Sequence, residues 1–142
     1  MSRLSRRLRS HPRADWLALA EAWWLLLASD LCLRLFPFPR VDHLFSPRTA
    51  SALSGSSVGQ QDVATRCAWA TRVAARRHLW PMRCLTRSLC LRWLLGRRGL
   101  PAQLRLGVAR EADGLLAHAW VELQGQPVGE ETQEVNRFAP LS

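Results

Sequence analysis

With 142 residues and a net charge of +9, the chain fits one domain with an ordinary core and leaves no room for a second catalytic domain. All 20 cationic residues are Arg, with no Lys, Ile or Tyr, so the charge reflects a GC-rich coding bias as much as any partner. Nucleic-acid binding is set aside because no recognition motif accompanies the charge, although Arg3, Arg6, Arg7, Arg9 and Arg13 can still meet a membrane surface or an acidic partner.

The first element is an apolar helix from an N-cap at Asp15, stopping before Phe36-Pro37-Phe38-Pro39, where two prolines block continuation. Its basic flank imitates a signal peptide or anchor. Glu21, Asp30 and Arg34 interrupt it, however, and no small-residue cleavage site follows, so it reads as a buried or amphipathic helix with membrane contact the minority reading. Trp and Leu occupy more than one of its faces, which demands cover from the domain or from another protein.

Residues 46–60 are rich in Ser and Gly and read as a linker or loop between an N-terminal segment, 1–45, and a core domain, 61–142. From Gln61 to Leu79, Val63, Cys67, Ala70 and Ala74 recur at helical steps with Arg66, Arg72, Arg76 and Arg77 outside. Pro81 breaks the chain. A third helix begins near Cys84, buries Leu85 and Leu89, and ends around Gly96 to Gly99.

After Pro101 the period becomes two: Ala102, Leu104, Leu106 and Val108 alternate with more polar neighbours, which marks a half-buried strand. Asp113-Gly114 signals a hairpin turn, Leu115 to Leu123 returns as a second strand, and Gln124-Gly125 turns again into a third from Gln126 through Glu130. Helices followed by an antiparallel meander define an α+β class, with the third helix packed on the sheet.

Four cysteines, Cys32, Cys67, Cys84 and Cys90, lack Cys-x-x-Cys spacing and any secreted disulfide pattern, which suits reduced thiols in a cytoplasm. Cys84 differs from the other three, which read as small buried hydrophobes. It opens a helix, where unpaired N–H groups and the positive end of the macrodipole favour thiolate. His118 lies on the middle strand and shares a face with Leu116, Trp120 and Glu122, while Ala117, Ala119, Val121 and Leu123 offer the other face for packing. A thiol and an imidazole so placed form a nucleophile and its base.

An acidic group to orient the imidazole is expected from the next strand. A three-residue loop over Leu123-Gln124-Gly125 sets Glu130 opposite His118, and a two-residue Gln124-Gly125 turn sets Glu131 there instead. Glu130 is favoured over Glu131, with Glu122 third. Zinc lacks a third and fourth ligand beside Cys84 and His118, no glycine-rich phosphate loop is present, and no cofactor is implied.

Three stretches carry a resemblance: Trp80-Pro81-Met82-Arg83-Cys84-Leu85-Thr86-Arg87-Ser88-Leu89, Leu104-Arg105-Leu106-Gly107-Val108, and Ala117-His118-Ala119-Trp120-Val121-Glu122. They resemble the lasso peptide leader peptidases, the B2 proteins of lasso peptide biosynthesis, a branch of the transglutaminase-like, papain-type fold. The resemblance is good over residues 61 to about 130, and the N-terminal apolar helix with its Phe-Pro ending is also similar to that family.

The resemblance implies a Cys-His-acid triad at Cys84, His118 and Glu130, where relatives commonly have Asp. It implies hydrolysis of a ribosomally made precursor peptide at the leader–core junction, after which a separate ATP-using cyclase closes a macrolactam. The chain has no room for the leader-recognition domain that some relatives carry fused, so a separate leader-recognition protein is expected, with the apolar helix as a docking surface for it or for the cyclase. The Cys84 N–H is expected to serve an oxyanion hole, with Gln60 or Gln61 as a second donor if the linker folds back. An acyl or amide transferase with the same site, and a non-catalytic basic scaffold for peptide or membrane, are the competing readings.

Overall fold

Pro37 and Pro39 divide the N-terminal apolar run into two helices in the computed structural model, which describes residues 12–46 and 57–141. Helix α1 (Pro12–Leu35) stops where expected but starts earlier: Asp15 is not its cap but lies inside it, buried, with Arg66 3.4 Å away. A short α2 (Phe38–Leu44) follows, which the two prolines had argued against. Pro37 caps it and Pro39 falls in its first turn, where a missing N–H is tolerated because it would have no helical partner.

The expected linker over 46–60 is shortened, since α3 (Ser57–Arg76) takes in its last four residues. The rest of that stretch, 47–56, lies outside the described residues, as do Arg3, Arg6, Arg7 and Arg9. Helix α3 also ends at Arg76 rather than Leu79, and α4 runs over Cys84–Arg97.

The two-faced apolarity of α1 now has a structural account. Ala18, Ala22 and Leu26 pack with Ala64, Cys67, Ala70 and Ala74 of α3 and Cys90, Leu94 and Leu95 of α4, so α1 shares one core with the helices that follow. Small side chains on α3 let the backbones approach closely. Arg97 of α4 and Arg98 at its C-terminal cap both reach Glu21, which keeps a carboxylate in the midst of an apolar helix paired. The opposite face leaves Trp16, Leu17, Trp24 and Leu35 exposed. By length and composition Asp15–Leu35 would also cross a membrane, a test that a core helix and an N-terminal signal sequence pass equally well.

Behind α4 lies a four-stranded antiparallel sheet in the order β3-β2-β1-β4, so the class is α+β. Its strands are β1 (Gln103–Glu111), β2 (Gly114–Leu123), β3 (Gln126–Pro127) and β4 (Ala139–Pro140), with a one-turn α5 (Thr132–Val135) before the last. Val121 and Leu123 enter the helical core, and Ser88 Oγ of α4 donates to the Ala119 carbonyl at 3.0 Å.

Four details of the sheet differ from expectation. The first hairpin pairs Glu111 with Gly114, so its turn is Ala112-Asp113, one residue earlier than the Asp-Gly signal suggested. The second pairs Leu123 with Gln126 through a two-residue turn, Gln124 and Gly125 taking φ of 54° and 78°, so the three-residue loop that favoured Glu130 does not form. Strand β3 also ends at Pro127 instead of running to Glu130. Val128 still donates to the Val121 carbonyl at 2.9 Å, and Gly129, with φ of 77°, then turns the chain off the sheet. Strand β4 adds an edge beyond the expected meander, pairing Gly107 with Pro140.

Candidate active site

Cys84 is the first helical residue of α4, after Pro81 has broken the preceding segment. Arg83 precedes it in extended conformation and has no acceptor to offer, so no side chain caps the first-turn N–H groups, and no acidic residue stands in that turn. The positive end of the helix is therefore left for whatever sits beside the thiol. Cys84 is half-buried and lines a cavity of about 80 Å³ with Arg72, Arg87, Ser88, Trp120, Gly129 and Glu130 among its neighbours.

The approach to α4 is anchored from α1. Asp30, buried at 4% exposure, accepts from Trp80 Nε1 and Arg34 Nε, each at 2.9 Å, and from Thr86 Oγ1 at 3.4 Å. Burial alone would raise its pKa, but the hydrogen bonds from Trp80 and Arg34, the Arg34 charge and the Thr86 hydroxyl outweigh that and hold the carboxyl below its ordinary value. One carboxylate thus ties α1 to the loop before Cys84 and to the first turn of the helix that Cys84 opens.

His118 stands on β2 opposite Gly107 of β1. Its Nε2 lies 2.7 Å from Glu130 Oε2. An ionised carboxylate only accepts, so Nε2 carries the proton in this pair, and a neutral ring keeps its lone pair on Nδ1. Trp120 stacks beside the imidazole at 6.0 Å and Phe138 packs on it at 4.9 Å, which fixes the ring plane. Gly107 makes room for this stack: a Cβ there would come within 2.9 Å of the Trp120 ring and 2.8 Å of Phe138 Cβ.

Glu130 reaches His118 by a route other than strand register. The two-residue turn would carry Glu131 to the position across from His118, but the strand has ended, and the turn at Gly129 swings Glu130 in instead. Gly129 is required twice over, by its positive φ and because a Cβ would lie 3.0 Å from Ala68 Cβ. Glu131 occupies the N-cap position of α5 with no side-chain capping bond and is exposed. Glu122 is committed elsewhere, accepting from Arg105 Nε at 3.2 Å and Trp120 Nε1 at 3.0 Å.

The structure therefore joins His118 to Glu130 and sets Glu130 and Cys84 on one cavity wall, with Trp120 common to the cavity and the imidazole stack. Among the described residues no hydrogen bond links the thiol to the imidazole. Neither suggested oxyanion donor reaches the Cys84 cavity: Gln60 accepts from Gln124 at 3.2 Å, and Gln61 lines a neighbouring groove. Arg72, Arg87, Trp120 and Phe138 were not singled out from the sequence. A glycine inside the otherwise alternating β1 was the available signal for the close packing around Trp120 and Phe138.

Cys67 and Cys90 are buried thiols of a different kind, whereas Cys32, expected to be buried with them, is half-buried. Burial pushes Cys67 up to about 11 and Cys90 up to about 12. Among the described residues no group of three or more His, Cys, Asp or Glu is placed to hold a metal ion.

A family model described as the transglutaminase-like superfamily matches residues 25–142 of this chain. The chain belongs to that superfamily, which includes cysteine peptidases and transferases. No curated protein and no solved structure matches it at a significant level.

Proposed function

From membership of the transglutaminase-like superfamily, we propose that this chain is a cysteine peptidase that removes the leader from a lasso precursor peptide in the cytoplasm, with Cys84, His118 and Glu130 as its triad. The observation that carries the reading is the 2.7 Å His118–Glu130 contact beside a cavity that Cys84 shares with Glu130. The lasso assignment rests on the resemblance of the Cys84-Leu85-x-x-Ser88-Leu89 and His118-Ala119-Trp120-Val121-Glu122 stretches to the B2 leader peptidases.

In this mechanism His118 takes the thiol proton on Nδ1 while Glu130 holds the ring by Nε2 and stabilises the imidazolium. Sulfur attacks the scissile carbonyl carbon, and the Cys84 N–H at the uncapped helix end donates to the oxygen as it gains charge. The C–N bond breaks as His118 returns the proton to the leaving amine. Water, deprotonated by His118, then splits the thioester, releases the carboxylate and restores the thiol. The scheme requires Cys84 and His118 to close into contact on substrate binding, as apo catalytic hydrogen bonds commonly tighten in the complex.

A separate leader-recognition protein delivers the substrate in this scheme, and the exposed Trp16, Leu17 and Trp24 face of α1 offers it or the cyclase an apolar surface. Precursor peptide incubated with the protein and its partner should give two fragments whose masses sum to precursor plus one water. Cys84→Ala should give none, and unchanged cleavage by that variant would end the peptidase reading. Superfamily membership equally supports an acyl or amide transferase, for which the product is an adduct one leaving group lighter than its two parts combined. Tight, leader-specific binding by this chain alone would reject the separate recognition partner.

A further inference from the structure

Two grooves leave the Cys84 cavity, and they differ in charge. One, of about 720 Å³, runs between α3 and β3 and sets Arg72 against Glu130 and Glu131 among neutral groups such as Gln61, Thr65 and Trp69. The other, of about 580 Å³, runs between the C-terminal half of α3 and the segment before α4. It carries Arg72, Arg76 and Arg87 over an apolar floor of Leu79, Trp80 and Met82. Its sole carboxylate, Glu130, is already bonded to His118.

These three guanidinium groups have no carboxylate partner among the described residues. Outside this groove Arg34, Arg66, Arg92, Arg97, Arg98, Arg105 and Arg137 are each paired with Asp or Glu, while Arg13, Arg40, Arg77, Arg83 and Arg110 also lack such a partner among the described residues, so what sets the three apart is their convergence on one groove. Arg72, Arg76 and Arg87 come from two helices and converge on one groove that opens into the cavity lined by Cys84, Arg72 and Arg87. An unpaired guanidinium fork matches a carboxylate in two parallel hydrogen bonds, and three of them beside the exposed Leu79 and the half-buried Trp80 and Met82 suit an acidic residue next to a large apolar one.

We infer that this groove is a substrate subsite for a peptide segment carrying Asp or Glu beside Leu-like residues, on one side of the bond that reaches Cys84. The inference rests on the proposed peptidase reading for its place in a reaction, while the binding preference stands by itself. The mixed groove, which shares Arg72, Gly129 and Glu130 with this one, carries no such preference.

The test uses full-length Cys84→Ala protein and two labelled 12-residue peptides, one with two glutamates between leucines and one with glutamines in their place. Fluorescence anisotropy at low salt should show the glutamate peptide binding about tenfold tighter, the preference fading in high salt. Adding Arg76→Gln and Arg87→Gln should bring the ratio close to one. Arg76→Lys with Arg87→Lys should retain much of it, which separates lost charge from lost folding. Arg110→Gln, on β1 away from the groove, should leave it unchanged.

Equal binding of the two peptides by the Cys84→Ala protein would overturn the subsite. A fall in preference with Arg110→Gln as large as with the groove variants would overturn it too, by reducing the effect to overall charge. Cleavage assays on the wild-type protein keep the two readings apart. Selective binding without cleavage of any peptide would reject the peptidase alone, and equal cleavage of both peptides would reject the subsite alone.

Discussion

Helix α4 carries two cysteines six residues apart that share a backbone and little else. Cys84 stands at its open end, half-buried, on the wall of a cavity and beside N–H groups that no side chain caps. Cys90 stands inside the core with Leu94 and Leu95, fully buried, its sulfur 3.6 Å from the Ala22 carbonyl, and burial pushes its pKa up to about 12. The same functional group is a candidate nucleophile in one place and packing material in the other. Position along the helix decides which, because the field of a helix end fades within a turn while desolvation grows toward the core.

The largest test of this contrast exchanges the two roles. Cys84→Ala should lower precursor cleavage at least ~10³-fold, the scale of losing a covalent nucleophile, with little change in melting temperature. Cys90→Ala should leave kcat within about twofold and lower stability instead. Iodoacetamide followed by peptide mass analysis should modify Cys84 in the native protein well before Cys67 or Cys90, which need unfolding to react. Native alkylation of Cys90 ahead of Cys84 would break the comparison.

Next in size is the acid that holds the imidazole. Glu130→Gln keeps the side-chain shape but removes the charge that stabilises an imidazolium, so kcat should fall about 10²-fold with a smaller effect on KM. Glu131→Gln and Glu122→Gln should change kcat far less, since Glu131 is exposed and Glu122 serves Arg105 and Trp120. Equal losses from Glu130→Gln and Glu122→Gln would point to a stability effect rather than to an orienting acid.

How Glu130 arrives at His118 marks the limit of what the sequence discloses. Alternation along β2 put Ala119, Val121 and Leu123 against the helices and His118 with Trp120 on the other face, because a period of two is a local property of extended chain, although Ala117, expected to pack with the first three, is exposed. The helix start at Cys84 was legible for the same reason, from Pro81 and the periodicity after it. The register of the second hairpin was not. Gln124 takes a positive φ, which side chains other than Gly, Asn or Asp seldom adopt, so the two-residue turn carried a weak signal. Strand β3 then stopped at Pro127, and a turn at Gly129 restored the expected acid by another path. Pairing Arg66 with Asp15 and gathering Trp80 and Thr86 around Asp30 are long-range events with no local pattern.

That Asp30 network supplies the third test, at the junction between the two ends of the contrast. Asp30→Ala strands the Trp80 indole N–H and should cost roughly 1–3 kcal/mol in denaturant unfolding, with a further loss of kcat as the turn before Cys84 loosens. The folded pKa of Asp30 is lowered, so its contribution is fully present above the unfolded carboxylate value and is lost as pH falls through the folded one. Asp30→Asn should remove that acid-side loss. A variant with an unchanged acid limb would show that the carboxylate is not what ties α1 to α4.

The smallest effect at neutral pH belongs to Cys90, yet its pH dependence is the sharpest check on the buried end. Cys90→Ala removes one sulfur from packed surroundings and should cost about 1–2 kcal/mol at pH 7. In the native protein Cys90 keeps its proton until pH reaches about 12, whereas the unfolded chain ionises the same thiol above its ordinary value of 9.0. Stability is therefore intact below that ordinary value and falls as pH rises beyond it, by up to about 1.4 kcal/mol per unit for this thiol. Cys90→Ala should flatten the alkaline fall, and a variant that falls as steeply as the wild-type protein would show that burial of this thiol does not set the alkaline limb.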